Sequence, residues 1–150
     1  MPRRTIDTPT GPFTIVETDG VITQAGWRHA QGDDRTPLLD AAAVQLAEYF
    51  AKARKTFDLP VAPTGSEFEQ AVWREMQAIP YGETRTYADL ARATGGVARA
   101  VGQACGSNPI PIVIPCHRVT GTHNTGGFSG GDGRMTKRKL LGLEGAMLEL

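Results

Sequence analysis

The sequence contains two cysteines, and one of them stands beside two potential cations. In the stretch IPCHRVTG, residues 114–121, Cys116 follows a proline and precedes His117 and Arg118. Such a thiol is a reactive nucleophile, a metal ligand, half of a disulfide, or a small apolar residue in a core. The first role needs a nearby base, because a cysteine with a pKa of about 8.5 is only a few per cent thiolate at neutral pH.

Composition and spacing argue against a disulfide and against a metal. The N-terminus lacks the apolar segment of a secretory signal, and no run approaches the roughly 20 apolar residues of a membrane span. We therefore expect a cytoplasmic protein in which Cys105 and Cys116 stay reduced. Neither a C-x2-C nor an H-x3-H spacing occurs, so we expect no metal and no cofactor. We interpret His29 and His123 as ordinary side chains.

Charge is balanced overall but not along the chain. Sixteen basic and sixteen acidic side chains give no net charge, which by itself predicts no polyanionic partner. Between residues 92 and 139, however, there are seven basic residues and only one acidic residue. We expect one face of the second half to be positive.

The first part of the chain has the pattern of a small α/β unit. Residues 12–28 predict two strands joined at Asp19-Gly20, a dipeptide that favours a tight hairpin turn. Thr36 as N-cap and Pro37 at the first position predict a helix of about twenty residues. The proline-rich segment that follows, DLPVAPTG, indicates a linker. We therefore predict two domains, residues 1–62 and residues 63–150.

The second part is expected to be mostly helical. The helix after Thr86 ends at a glycine pair, and another helix, VARAVGQACGSN, follows at once, which is typical of a helix-turn-helix. Small helical bundles contain the same pattern, so it leaves DNA contact open. The second helix has small residues at several positions, including Ala98 and Gly102, and one long side chain, that of Arg99. It suits either a narrow DNA groove probed by Arg99 or tight helix packing with Arg99 in solvent.

Three segments complete the second part. The apolar run PIPIVIP, residues 109–115, predicts a buried extended segment that delivers the cysteine to a fixed point. Residues 120–133 are rich in glycine and predict either a loop whose N–H groups approach a ligand or a plain surface connection. A short basic helix follows and places Glu144 just before a glycine.

These motifs resemble the O6-alkylguanine-DNA alkyltransferases, which are single-use DNA repair proteins. The resemblance covers essentially all of residues 68–145 and is carried by FEQAVW, IPYGETRTYADLA, ARAVGQACGSNPIPIVIPCHRV, GGFSGG and KRKLLGLEG. It implies an α/β (α+β) fold, with a ribonuclease-H-like N-terminal domain before a helix-turn-helix alkyltransferase domain. It also implies irreversible transfer of an alkyl group from O6 of guanine, and from O4 of thymine, in double-stranded DNA to a cysteine.

The family's reactive residues fall on matching positions. The resemblance implies that Cys116 is the alkyl acceptor, and that His117 and Glu144, with a water, draw the proton from its thiol. It implies that Asn108 braces the turn before the acceptor. Tyr87 matches the tyrosine that helps rotate the target phosphate and hydrogen-bonds the flipped guanine.

The family's DNA-binding positions are matched as well. Arg99 corresponds to the finger that replaces the extruded nucleotide, approached through the minor groove. The Val119 carbonyl and the Ser129 backbone N–H correspond to groups that read the base edge. The other expected DNA- or substrate-binding positions are Ala98, Gly102 and Cys105. Phe128 stands where many members have tyrosine, which puts the substrate range in doubt.

Three other functions remain as alternatives. The first is a lesion sensor that flips damaged bases without reacting. Proteins of that kind lack cysteine at the acceptor position, so Cys116 argues against it. A DNA-binding regulator would carry a further DNA-binding domain or metal ligands. A cysteine hydrolase would turn over, whereas a thioether stays on the protein. We therefore predict a stoichiometric transferase that is a monomer in solution.

Overall fold

The computed structural model describes residues 1–147 of the chain. Its first part is a three-stranded antiparallel sheet, in the order β1-β2-β3, with one helix packed against it. The elements are β1 (Arg3–Ile6), β2 (Phe13–Thr18), β3 (Val21–Gly26) and α1 (Pro37–Phe50). Buried alternate residues of β2, Phe13 and Ile15, join the core beneath the helix.

The predicted hairpin is confirmed, and the sheet has one strand more than the sequence predicted. Asp19 and Gly20 have φ values of 51° and 82°, the left-handed conformations that a two-residue hairpin turn requires. The additional strand is β1, in which Arg3 lies opposite Val16 of β2.

Helix α1 begins where the sequence predicted but is shorter. The Thr36 hydroxyl accepts a hydrogen bond from the Leu39 N–H over 3.0 Å, as expected of an N-cap. The helix ends after 14 residues at Phe50, not after about twenty, and its last turn contains no basic residue. Lys52 has a φ of 61°, so the backbone has left the helical conformation there.

The proline-rich segment is not a free linker. Its backbone lies beside β3: the Ile22 N–H donates to the Pro60 carbonyl, and the Ala62 N–H donates to the Ile22 carbonyl, both over 2.9 Å. Proline is compatible with such an edge position because it has no N–H to pair. The segment therefore extends the sheet towards the helical part.

Up to residue 147, the second part is built from four α-helices, one 3-10 helix and a two-stranded parallel sheet. The elements are α2 (Glu67–Gln77), β4 (Arg85–Thr86), α3 (Tyr87–Thr94), α4 (Ala98–Gly106), a 3-10 helix (Cys116–Arg118), β5 (Val119–Thr120) and α5 (Arg134–Leu143). Helices α3 and α4 form the expected helix-turn-helix, with Gly95 in a left-handed conformation at the end of α3. The small sheet pairs Arg85 with Val119 and so joins the start of α3 to the segment after Cys116.

Residues 109–115 are buried but not extended, so that prediction was wrong in its conformation. The chain makes successive turns: the Ile114 N–H donates to the Ile110 carbonyl over 2.9 Å, and Ile112 has a φ of 73°. The three isoleucines of this segment are buried in the core. An apolar run indicates burial, but it does not distinguish a strand from a buried turn.

One hydrophobic core runs through both parts of the chain. Trp73 is buried at its centre and donates its indole N–H to the Ala104 carbonyl over 2.9 Å. Tyr49, from α1, is also fully buried in this core. None of the helices within residues 1–147 combines the length and apolar character that crossing a membrane would take.

Candidate active site

Cys116 lies at the edge of the core and faces a cavity of about 690 Å³. It opens the 3-10 helix, directly after the turns of residues 109–115. The residue as a whole is 7% exposed. The cavity is also lined by Tyr87, Gly102, Cys105, Asn108, Ser129 and residues 24–29, which belong to the part formed by β1–β3 and α1, called the sheet domain below. The acceptor predicted from the sequence is therefore accessible from one side only.

Asn108 fixes the turns that lead to the thiol. Its side-chain N–H donates to the Ile114 carbonyl over 2.7 Å, and its oxygen accepts the Ile110 N–H over 3.0 Å. Burial raises the pKa of the Cys116 thiol, and a hydrogen bond from Asn108 and the charge of Lys137 oppose that rise. The thiol is therefore protonated at neutral pH and needs a base.

Glu144 is a buried carboxylate surrounded by donors. It accepts hydrogen bonds from the Tyr49 hydroxyl over 2.6 Å and from Arg118 Nε over 2.8 Å and Nη2 over 3.1 Å. His117 Nε2 lies 2.7 Å from the same carboxylate. Burial acts to raise the pKa of Glu144, but the hydrogen bonds from His117 and Arg118 and the charge of Arg118 lower it to about 2.

This arrangement fixes the protonation of His117. Because ionised Glu144 only accepts hydrogen bonds, His117 Nε2 must carry the proton that it shares with the carboxylate. Burial lowers the pKa of His117, so the ring stays neutral. Its Nδ1 is then an acceptor, and this buried atom has no hydrogen-bond partner within residues 1–147. The site thus contains a neutral base one residue from the thiol.

Lys137 is a site residue that the sequence analysis missed. Its ammonium donates to the Val119 carbonyl over 2.6 Å and to the Gly127 carbonyl over 3.0 Å, and lies 3.4 Å from the Tyr87 hydroxyl. Burial lowers its pKa to about 8. Its spacing from Leu140 is that of one helical face, which is the signal that could have revealed it.

The burial of Lys137 and Arg118 corrects the expected charge distribution. Two of the seven basic residues between residues 92 and 139 point inwards, so the positive face is weaker than their number suggests. Arg118 donates to the Ile79 carbonyl over 2.7 Å as well as to Glu144. Both cations therefore bind groups inside the protein and do not add to a positive surface.

Tyr87 and Cys105 form a wall of the cavity near Cys116. Burial raises the pKa of the Tyr87 phenol, which therefore keeps its proton at neutral pH. Burial, and then the nearby Cys116, raise the pKa of Cys105 to about 12. Cys105 thus remains a thiol and does not compete as a nucleophile.

Helix α4 presents different residues to the core, the cavity and the solvent. Its core side is formed by Val101, whereas Gly102 lines the cavity. Arg99 and Ala98 are exposed at the start of the helix, and Ala98 lies one turn before Gly102 on the same face. A Cβ atom placed on Gly102 would meet nothing within 4 Å, so no neighbouring side chain fills that side of the helix.

The last two expected base-reading groups are the Val119 carbonyl and the Ser129 backbone N–H. The Val119 carbonyl already accepts a hydrogen bond from Lys137. Ser129 lies in the glycine-rich loop, residues 121–133, and lines the cavity. Its carbonyl accepts a hydrogen bond from Arg28 Nη1 over 2.6 Å, so the loop is joined to the sheet domain. Residues of the sheet domain were absent from the predicted site.

Sequence models of two known domains match this chain. The ribonuclease-like domain of 6-O-methylguanine DNA methyltransferase matches residues 1–63, and the DNA-binding domain matches residues 67–146. The chain belongs to the 6-O-methylguanine DNA methyltransferase family. This membership confirms the resemblance and the fold class inferred from the sequence.

Individual members of the methyltransferase family are similar over most of their length. The methylated-DNA–protein-cysteine methyltransferase of Mycolicibacterium paratuberculosis is 45% identical over 151 residues, which cover 94% of this chain and 90% of that protein. The constitutive enzyme of that name in Bacillus subtilis is 43% identical over 133 residues, covering 80% and 81%.

Solved structures of the methyltransferase family share the fold. The O6-methylguanine methyltransferase of Mycobacterium tuberculosis superposes with a TM-score of 0.85 at 39% identity, covering 96% of this chain and 92% of that one. A second M. tuberculosis structure, of OGT in complex with DNA, gives a TM-score of 0.83 at 39% identity, covering 95% and 92%. Within residues 1–147, no group of three or more His, Cys, Asp or Glu side chains is arranged to hold a metal ion.

Proposed function

We propose that this protein repairs DNA by transferring one alkyl group from O6 of guanine to the sulfur of Cys116. The observation that carries the proposal is a buried thiol followed directly in the chain by a neutral His117, whose Nε2 is held by ionised Glu144 and whose buried Nδ1 has no hydrogen-bond partner within residues 1–147. A base of this kind, beside a thiol facing a cavity, suits the activation of a nucleophile. The membership of the family agrees with this chemistry.

The transfer balances without a cofactor. His117 Nδ1 accepts the proton of the thiol, through a bridging water, and the thiolate attacks the alkyl carbon. The S–C bond forms as the C–O6 bond breaks, and the electron pair of that bond passes to the guanine. The guanine anion takes up one proton from water, and the protonated His117 returns its proton to water, so no net proton is gained or lost. A hydrogen bond from the protonated Tyr87 hydroxyl stabilises the leaving base while charge develops on it.

The product is a thioether, and none of the residues lining the cavity is a nucleophile suited to cleaving it. Cys105 keeps its proton because burial holds its pKa at about 12. Each chain therefore reacts once. The alkyl group transferred is expected to be methyl. We also propose O4-alkylthymine as a second substrate, bound in the same place as O6-alkylguanine.

Access to O6 requires that the damaged nucleotide leave the duplex. Flipping costs roughly a few kcal/mol, and less for a weakly paired lesion, which helps to select damage. Arg99, exposed at the start of α4, is the side chain that we assign to the vacated stack, entered through the minor groove. Ala98 and Gly102 allow α4 to approach the backbone, and the Val119 carbonyl and the Ser129 N–H read the base.

Several features accompany this proposal. We propose a monomer that acts in the cytoplasm on double-stranded DNA containing O6-alkylguanine. We also propose that the chain divides functionally into residues 1–62 and residues 63–150. DNA binding is expected to weaken with salt, because contacts to phosphates release counterions.

Intact mass spectrometry tests the proposal. The protein is mixed with an excess of duplex containing one O6-methylguanine, and each chain is expected to gain the mass of one methyl group and no more. Cys116→Ala should abolish this gain and keep its affinity for the lesion duplex, while Cys105→Ala should retain the gain. Lesion binding without any mass gain in the unmodified protein would favour the sensor, and repeated turnover would favour the hydrolase.

A further inference from the structure

The sheet domain supplies one side of the cavity in front of Cys116. Residues 24–29, at and after the end of β3, line the same cavity as the thiol and residues 127–130 of the glycine-rich loop. The Ala25 N–H also donates to the Pro109 carbonyl over 2.8 Å, so this end of β3 is tied to the turns before the acceptor.

Arg28 holds the backbone of the glycine-rich loop at two points. Its Nη1 donates to the Ser129 carbonyl over 2.6 Å, and its Nη2 donates to the Gly131 carbonyl over 3.2 Å. These partners lie 101 and 103 residues further along the chain. A planar guanidinium makes two such bonds with a fixed geometry, whereas a lysine supplies a single point of charge.

Trp27 packs against the glycine-rich loop. Its indole packs edge-on against Phe128 of the loop, with ring centroids 6.0 Å apart, and against Phe13 of β2, at 4.9 Å. Its N–H donates to the Thr10 hydroxyl over 3.2 Å. A Cβ atom on Gly130 would lie 2.3 Å from the indole, so only a glycine lets the loop backbone lie this close.

The loop is also attached to α5 at both sides of this stretch. Lys137 binds the Gly127 carbonyl at one end, and the Thr136 hydroxyl accepts the Asp132 N–H over 2.8 Å at the other. Between these points the backbone from Phe128 to Gly131 is held from the side of the sheet domain. The width of the cavity at Ser129 thus depends on Trp27 and Arg28.

We infer that Arg28 is a positioning residue and Trp27 a specificity-determining residue, and that together they limit the size of the alkyl group admitted to Cys116. The inference rests on the proposed alkyl transfer and gives the sheet domain a direct part in it. Removal of the indole opens space beside Phe128, and removal of the guanidinium releases the carbonyl of Ser129. Both changes admit a larger group.

Relative rates with two lesions test this inference. Thioether formation is followed by intact mass for O6-methylguanine and O6-benzylguanine placed in the same duplex sequence. The benzyl-to-methyl rate ratio is expected to rise about tenfold in Trp27→Ala, in line with the ~10–200-fold effects of pocket size. It should rise also in Arg28→Ala, and Arg28→Lys should restore the ratio only in part.

Arg54→Ala is the matched control, because Arg54 also donates to a backbone carbonyl of the sheet domain, that of Thr56, and lies outside the cavity lining. Its rate ratio should equal that of the unmodified protein. Arg28 is exposed, so Arg28→Ala reports on the loop even where Trp27→Ala unfolds the sheet domain.

Two outcomes overturn the inference in distinguishable ways. An unchanged ratio in Arg28→Ala and in folded Trp27→Ala, with normal labelling of the unmodified protein, overturns it alone. Failure of the unmodified protein to gain any methyl group overturns the proposed function and this inference with it.

Discussion

The Tyr49 hydroxyl, on α1 of the sheet domain, donates a hydrogen bond over 2.6 Å to Glu144, which lies 95 residues further along the chain. The carboxylate that orients the base of the proposed reaction is therefore held partly by the N-terminal domain. This bond is buried, and a hydrogen bond to a charged group is worth about 1.5–3 kcal/mol.

Replacement of Tyr49 by phenylalanine tests that relationship with little change in shape. Tyr49→Phe removes one donor from Glu144, so the free energy of unfolding should fall by about 1.5–3 kcal/mol. With one donor fewer, the pKa of the carboxyl rises. Urea denaturation at pH 7 measures the loss, and Tyr81→Phe, whose hydroxyl donates to the Leu143 carbonyl, is a control at a neutral acceptor. An equal or smaller loss for Tyr49→Phe would contradict the assignment.

Acid should weaken the fold through Glu144. Its pKa is about 2 in the folded protein and near the ordinary 4.5 in the unfolded chain. The depressed value means that this stabilisation is complete above pH 4.5 and is lost as the pH falls towards 2. The difference corresponds to roughly 3 kcal/mol.

Glu144→Gln isolates this contribution from that of the other carboxyl groups. The variant leaves the cation of Arg118 buried without its counterion, so it should be about 3–5 kcal/mol less stable at pH 7. Its deficit should shrink as the pH is lowered from 5 to 3. Urea denaturation at each pH measures the free energy of unfolding of both proteins. A difference between them that stays constant from pH 5 to pH 3 would show that Glu144 does not titrate as described.

Lys137 should set the pH dependence of the transfer. Its charge lowers the pKa of the Cys116 thiol, so Lys137→Met should shift the rise of the transfer rate to higher pH. At pH 7 the rate should fall, because a smaller fraction of the thiol is then ionised. Single-turnover rates between pH 6.5 and 9.5 measure the shift. The exposed Lys139 on the same helix provides the control Lys139→Met; superimposable profiles for the two variants would contradict the prediction.

Arg99 should matter only when the base must leave a duplex. Arg99→Ala is expected to slow transfer from O6-methylguanine in double-stranded DNA far more than transfer from the free base. The physical reason is that the vacated stack loses the side chain that fills it. Arg74→Ala, an exposed arginine on α2, controls for the loss of one positive charge. Equal losses with both substrates would exclude a role in flipping.

The residues that we assign to the reactive centre could be proposed from the sequence because their order along the chain is specific. Cys116 and His117 are adjacent, and Glu144 follows at a family spacing, so a motif identifies them without a structure. Their partners were not predictable. Arg118 and Tyr49 bind Glu144 through contacts between distant parts of the chain, and basic residues are buried only when such partners exist.

The fold was predictable where local signals are strong. Thr36, at the start of α1, and the Asp19-Gly20 turn are set by capping and by backbone conformation. The end of α1 and the turns around Ile112 were missed. Both involve a positive φ, at Lys52 and at Ile112, which these residue types do not predict. The pairing of Val61 with β3 is likewise a tertiary contact.

The fate of the alkyl carbon tests the central claim most directly. The protein is incubated with duplex carrying a tritium-labelled methyl group on O6 of guanine, denatured, digested and mapped by mass spectrometry. We predict that the label stays on the polypeptide as S-methylcysteine at Cys116, in one copy per chain and with none at Cys105. Label that remains on the DNA, leaves as free methanol, or maps to another residue would contradict the account.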